Sequence, residues 1–125
     1  MADAPAPTTI AIDVYSDIIC PWCYIGHRRL ATALAALPAE TAVRVTFRPF
    51  QLDPGAPEVA EPLHARLARK FGARAGSVLA QVTQQAEAEG LDMRWDRAQS
   101  VNTRTAHRLL EWVRRTHGTA AQLQV

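Results

Sequence analysis

The two cysteines of this chain, Cys20 and Cys23, are separated only by Pro21 and Trp22. They lie between a run that alternates like a strand and a run with helical periodicity. A thiolate is the nucleophile in disulfide exchange, and a helix N-terminus favours an anion because its N–H groups are unpaired. Pro21 suits the first helical position, whose N–H has no helical partner. The spacing predicts a redox-active dithiol, with Cys20 as the attacking thiol and Cys23 as the resolving thiol.

Two alternative roles for this cysteine pair remain open from the residues alone. The thiols could be buried and inert, or they could form part of a zinc site with His27 as a third ligand. Zinc needs four ligands, and the sequence has no second pair of cysteines. We therefore predict no metal. Haem attachment is excluded because Tyr24, rather than histidine, follows Cys23.

The residues around the cysteines predict a strand, a helix and a second strand. Apolar and polar residues alternate from Ile10 to Tyr15 and again from Val43 to Arg48, and the helical run from Cys20 ends before Pro38. This order is typical of a βαβ unit with parallel strands, here over about residues 9–50. The cysteines would then lie at the carboxyl end of the first strand, where open α/β sheets place their chemistry.

The remainder of the chain is predicted to be a proline-rich loop over 53–62 followed by helices. Expected helix starts are Pro62 at a first helical position, a cap at Ser77, a cap at Ser100 or Asn102, and a last start at Thr119. Glycines at 72, 90 and 118 are expected to end the helices.

Length and composition limit the classes of protein to consider. The chain has 125 residues, 48% of them hydrophobic, which predicts a globular protein. Its 14 basic and 12 acidic residues are dispersed, so we expect no nucleic-acid partner. No apolar run is long enough to span a membrane. Residues 1–8 are predicted to be a disordered tail without the pattern of a secretory signal, which predicts a cytoplasmic location.

Four segments resemble one known family. They are Ser16-Asp17-Ile18-Ile19-Cys20-Pro21-Trp22-Cys23-Tyr24-Ile25-Gly26-His27-Arg28-Arg29-Leu30, Phe47-Arg48-Pro49-Phe50-Gln51-Leu52-Asp53-Pro54, Ala88-Glu89-Gly90-Leu91-Asp92 and Asn102-Thr103-Arg104-Thr105-Ala106-His107-Arg108-Leu109. In this order they resemble the FrnE-type branch of the DsbA-like thioredoxin-fold oxidoreductases. The combination is more specific than a CxxC motif alone.

The resemblance implies an α/β fold with a thioredoxin-like βαβ unit over 9–54 and an incomplete helical insertion domain over 55–125. A thioredoxin fold also has a cis-proline loop, a hairpin and a last helix, yet all eight prolines lie at or before Pro62. We therefore expect this C-terminal half to be absent and the chain to be an N-terminal fragment. A two-stranded sheet with open edges would be marginally stable or would self-associate.

The resemblance also implies a thiol–disulfide oxidoreductase that acts through Cys20 and Cys23. The expected partners are substrate proteins or small thiols and disulfides, and no cofactor is expected beyond a thiol such as glutathione. Candidate substrate-binding residues are Pro21 and Trp22, between the thiols, and Asn102 and His107, on a helix that packs toward the active-site face in this family. Simpler roles remain open for three of them: packing for Trp22, helix capping for Asn102, and an ordinary core or surface position for His107.

Two further functions stay open. Relatives with the same fold and insertion act as glutathione-dependent isomerases or transferases, including 2-hydroxychromene-2-carboxylate isomerase, but these generally replace the CxxC with a serine-type site. A zinc-holding or interaction module is the non-enzymatic alternative.

Overall fold

The structure is a computed structural model that describes residues 9–125. Its central unit consists of strand β1 (Thr9–Ser16), helix α1 (Pro21–Ala35) and strand β2 (Ala42–Pro49). The two strands are parallel, and Ile10, Ile12 and Val14 lie opposite Val43, Val45 and Phe47. The predicted βαβ unit over about 9–50 is therefore confirmed. Helix α1 ends at Ala35, two residues before its expected end at Leu37.

The second part of the chain is mostly helical, with one short exception. It contains β3 (Glu61–Pro62), α2 (Leu63–Phe71), a 3₁₀ turn (Gly72–Arg74), α3 (Ala75–Ala88), β4 (Gln99–Ser100), α4 (Arg104–His117) and α5 (Thr119–Gln122). The strands β3 and β4 form a two-residue antiparallel ladder, which the prediction of helices from residue 62 onward did not include. Within residues 9–125 the parallel sheet has two strands, as predicted.

Three predicted helix starts were wrong. Helix α4 begins at Arg104 with Thr103 as its N-cap, so neither Asn102 nor Ser100, which lies in β4, is the N-cap. Pro62 pairs in the β3–β4 ladder and α2 begins at Leu63, whose N–H donates to the Ala98 carbonyl at 2.9 Å. Ser77 lies inside the first turn of α3, where its hydroxyl donates back to the Arg74 carbonyl at 2.9 Å instead of capping the helix. Gly72, Gly90 and Gly118 follow helix ends with positive φ, as expected at those positions.

The small core lies between α1 and α3. Ile25, Val82, Ala86 and Leu91 are buried, and Met93 and Trp95 pack against them. Ile25 is the buried residue of α1, whereas Leu37, which belongs to the predicted apolar stripe, is exposed. Helices α4 and α5 contact β2, so they lie directly against the βαβ unit.

Two of the sequence predictions about domains are not decided by this architecture. The division at residue 54 into a βαβ unit and an insertion domain stays a prediction. The predicted disordered tail, residues 1–8, lies outside the described residues.

Candidate active site

The cysteines lie at the junction between β1 and α1. Cys20 is the N-cap of α1, with extended backbone angles of φ −90° and ψ 112°, and Pro21 follows at the first helical turn. The Cys20 carbonyl accepts hydrogen bonds from the N–H groups of Cys23, at 3.1 Å, and Tyr24, at 3.3 Å. Both thiols are free and half-buried. The N-terminus of α1, which is the positive end of the helix dipole, therefore lies at Cys20, the residue predicted to form the thiolate.

The environment of Cys23 favours the protonated thiol. Burial raises the pKa of Cys23 above its usual value, and the neighbouring Cys20 and the charge of Asp17 raise it further. A hydrogen bond with the Asp17 backbone opposes these effects without reversing them. A thiol held in its protonated form suits a resolving residue, which reacts only after the first thiol has formed a mixed disulfide.

Asp17 is the residue around which the site is assembled. The residue is 2% exposed, and its carboxylate accepts hydrogen bonds from the Leu52 N–H at 2.9 Å and from His107 Nε2 at 3.0 Å. Burial opposes ionisation, but hydrogen bonds from Leu52, Thr103 and His107 outweigh it and lower the pKa of Asp17. The Asp17 carbonyl also accepts the Cys20 N–H at 3.2 Å. One residue therefore links the cysteine loop, the segment after β2 and helix α4.

Asp17 belongs to the first of the four segments that resemble the family, but the sequence did not identify it as a site residue. The signal in the sequence that could have identified Asp17 was its position, as a charged residue directly after a strand and before Ile18 and Ile19. Its importance depends on His107, 90 positions later, and no local pattern connects the two.

A cavity of about 500 Å³ brings part of the predicted site together. Cys20, Cys23 and His107 all line it, as do His27 and Phe47. Pro21 and Trp22 instead line a second cavity, of about 430 Å³, on the α2 and α3 side of Asp17. Trp22 is 45% exposed and is therefore open to contact by a bound molecule.

Asn102 is not brought to the cavity that holds the thiols. Its Nδ2 donates to the carbonyls of Pro54, at 3.0 Å, and Ala56, at 2.9 Å, and its Oδ1 accepts the Arg104 N–H at 3.0 Å. The same oxygen accepts from Gln51 Nε2 at 3.0 Å. Asn102 therefore anchors the loop after β2 to the start of α4, close to the capping role that the sequence left open for it.

The geometry around the thiols does not favour a metal. Among residues 9–125, no group of three or more His, Cys, Asp and Glu side chains is arranged to hold a metal ion. His27, the candidate third ligand, has its ring edge-on to Phe47, with centroids 4.9 Å apart. The zinc alternative gains no support here.

Comparison with known proteins identifies the class to which this fold and site belong. The profile of the DSBA-like thioredoxin domain matches residues 11–124. The chain therefore belongs to the DsbA-like thioredoxin family, and its mixed α/β architecture is a thioredoxin-like DsbA fold.

A solved structure agrees with this assignment. The chain is 36% identical to a protein described as a probable DsbA oxidoreductase from Streptomyces coelicolor, with a TM-score of 0.75 over 85% of this chain. The match covers 47% of that protein, so this chain spans about half of its length. A search of the curated proteins finds no match. None of the helices within residues 9–125 is long and apolar enough to cross a membrane.

Proposed function

We propose that this protein exchanges disulfides with thiol substrates through Cys20 and Cys23, as a member of the FrnE-type branch of its family. The observation that carries the proposal is the placement of Cys20 at the N-cap of α1 with Cys23 one turn later, both open to one cavity. The family assignment supports an oxidoreductase.

The exchange needs two steps. Reduced Cys20 attacks a substrate disulfide, one substrate sulfur leaves as a thiolate, and a mixed disulfide forms. Cys23 then attacks Cys20, releases the second substrate sulfur and closes the Cys20–Cys23 disulfide, so that two electrons pass from the protein to the substrate. The reverse sequence oxidises a substrate dithiol. The electrons pass only between the two thiols and a partner thiol or disulfide such as glutathione.

We propose that substrates bind to the surface beside the thiols. Pro21 and Trp22 are the residues between the two cysteines, and the exposed Trp22 ring offers an apolar contact for a protein or small disulfide. His107 lies on the cavity wall with the thiols. A cytoplasmic location belongs to the same proposal, and cell fractionation with an antibody to the chain tests it.

The test is a redox titration of the 125-residue chain. The chain is equilibrated at a series of ratios of reduced to oxidised glutathione, quenched in acid, alkylated and weighed by mass spectrometry. We expect an intramolecular disulfide that forms over a defined range of ratios. The Cys23→Ser variant should stop at a mixed disulfide of Cys20 with glutathione, and Cys20→Ser should form no intramolecular disulfide. A wild-type chain that forms no intramolecular disulfide at any ratio would refute the proposal.

A further inference from the structure

The hydrogen bond between Asp17 and His107 determines the state of the His107 ring. Asp17 is kept ionised by its hydrogen bonds, so the nitrogen that faces it, Nε2, carries the proton and donates it at 3.0 Å. The other nitrogen, Nδ1, then holds a lone pair. Within residues 9–125, Nδ1 has no hydrogen-bond partner, and it is not among the fully buried atoms that lack one. His107 is thus a carboxylate-oriented imidazole with a free basic nitrogen.

The second step of the exchange requires such a base. Cys23 must lose a proton to attack the mixed disulfide on Cys20, and burial together with the charge of Asp17 keeps that thiol protonated. His107 lines the same cavity as Cys23. A carboxylate that orients a histidine, which in turn accepts the proton of a nucleophile, is a recurrent way to activate a thiol or hydroxyl.

We propose that His107, oriented by Asp17, accepts the proton of Cys23 when Cys23 resolves the mixed disulfide on Cys20. This inference rests on the proposed function. The S–H bond of Cys23 breaks and its electron pair forms the new bond to Cys20 Sγ. The bond between Cys20 and the substrate sulfur breaks, and its pair leaves on the substrate as a thiolate. The proton moves to His107 Nδ1, the Asp17 carboxylate stabilises the imidazolium, and the proton then passes to the released thiolate. Asp17 is a positioning residue in this step.

Two charged side chains that line the cavity, those of Arg48 and Glu111, are engaged elsewhere, and Tyr24 also lines it. Arg48 pairs with Asp13 at 3.3 Å, and Glu111 pairs with Arg114 and Arg115 at 2.6 and 2.9 Å. His27 also lines the cavity, but its ring packs edge-on against Phe47 and has no carboxylate partner within residues 9–125. The groups that face Asp17 besides His107 are the Leu52 N–H, Thr103 and Cys23. Of the two imidazoles that line the cavity, only that of His107 has a buried carboxylate that determines which ring nitrogen carries the proton.

The experiment measures how fast the disulfide closes. The reduced chain is mixed rapidly with oxidised glutathione, quenched in acid at increasing times and analysed by mass for the mixed and intramolecular disulfides. The test variant is His107→Gln, because the glutamine amide can still donate to Asp17 while it lacks a base. We expect closure at pH 7 to slow by about a hundredfold, within the range that a general base contributes. The mixed disulfide should accumulate, and closure should then speed up by about tenfold per pH unit as hydroxide replaces the base.

Two controls separate this role from a structural one. His117→Gln makes the same substitution at an exposed position of the same helix and should close at the wild-type rate. In His107→Gln, the ratio of reduced to oxidised glutathione at which half of the chains are oxidised should stay within about twofold of the wild-type ratio. A base changes the rate of closure and not its equilibrium.

The outcomes are distinct. If His107→Gln closes as fast as the wild type, the inference is wrong while the proposed function stands. If His107→Gln does not fold, Asp17→Asn decides: the inference requires closure at pH 7 to be slower than in the wild type, because the neutral amide cannot stabilise the imidazolium, and closure at the wild-type rate or faster contradicts it. If the wild type never closes a disulfide, both proposals fail.

Discussion

The backbone N–H of Leu52 donates a hydrogen bond to Asp17 Oδ2 at 2.9 Å, which joins the segment after β2 to the turn before Cys20. The other carboxylate oxygen faces His107 on α4, at 3.0 Å. Three separate parts of the chain therefore meet at one buried carboxylate next to the cysteine loop. Several properties of the protein should depend on this junction.

Removal of the Asp17 carboxylate should destabilise the fold. Asp17→Ala leaves the Leu52 N–H and His107 without their acceptor, and each buried unsatisfied group costs about 1–3 kcal/mol. We expect a loss of about 2–4 kcal/mol in the free energy of unfolding, measured by urea denaturation followed by circular dichroism. Asp92→Ala, at an exposed position, should change it by less than about 0.5 kcal/mol. Equal effects of the two substitutions would contradict the central role of Asp17.

Stability should fall on acidification. Burial of Asp17 opposes its ionisation, but the hydrogen bonds from Leu52, Thr103 and His107 are stronger and lower its pKa. Hydrogen bonding to Arg114 first, and then to Arg115, lowers the pKa of Glu111 to about 2. A carboxyl group with a lowered folded-state pKa stabilises the fold above its unfolded value, about 4, and loses this effect as the pH falls through the folded value.

The urea midpoint should therefore be constant from about pH 6 to 5 and decrease from there toward about pH 2. Asp17→Asn, which cannot ionise, should reduce that decrease. A wild-type midpoint that rises on acidification would show that the sign of the Asp17 and Glu111 effects is wrong.

The two thiols should differ in reactivity. Cys20 is the helix N-cap, whereas Cys23 lies inside the first turn, where burial raises its pKa. Iodoacetamide at about pH 6 should therefore label Cys20 faster than Cys23, because the reagent reacts with the thiolate. Peptide mass spectrometry of the reduced chain measures both rates, and the single variants Cys20→Ser and Cys23→Ser report each thiol without its neighbour. Faster labelling of Cys23 would reverse the assigned roles.

Asn102 should contribute to stability and not to exchange. Asn102→Ala removes the hydrogen bonds to Pro54 and Ala56 and the acceptor of the Arg104 N–H, so we expect a loss of about 1–3 kcal/mol in unfolding free energy. The glutathione ratio at half oxidation should be unchanged. Gln81→Ala, on the exposed face of α3, is the control for stability. A stable Asn102→Ala chain with impaired exchange would instead support the substrate-binding role predicted from the sequence.

The sheet edges should promote self-association. Each strand of the parallel sheet has one neighbour within residues 9–125, so β1 and β2 each present an edge without strand partners. Such edges pair readily with other chains, and an edge lysine opposes this pairing. Sedimentation velocity over a range of concentrations should show association that Ala11→Lys, on β1, reduces and Ala33→Lys, on the exposed side of α1, does not. A monomer at every concentration would contradict the prediction.

The sequence alone determined the elements that depend on local patterns. Alternation over 10–15 and 43–48 was enough for the parallel strands, and the CxxC spacing with Pro21 was enough to place Cys20 at the start of α1. The start of α2 was mispredicted because the Leu63 N–H bonds to the Ala98 carbonyl, and that of α3 because the Ser77 hydroxyl bonds back to the Arg74 carbonyl. A capping pattern contains neither contact.

The composition of the site was decided only by the tertiary structure. Asp17 and His107 are 90 residues apart, and their contact depends on how α4 packs beside the carboxyl end of β1. An asparagine can serve in a binding site or anchor a loop, and the sequence does not distinguish these roles. The hydrogen bonds of Asn102 to Pro54 and Ala56 show that it anchors a loop. Local sequence patterns specify backbone conformation, whereas the partners of a buried polar group come from distant segments and are specified only when the chain packs.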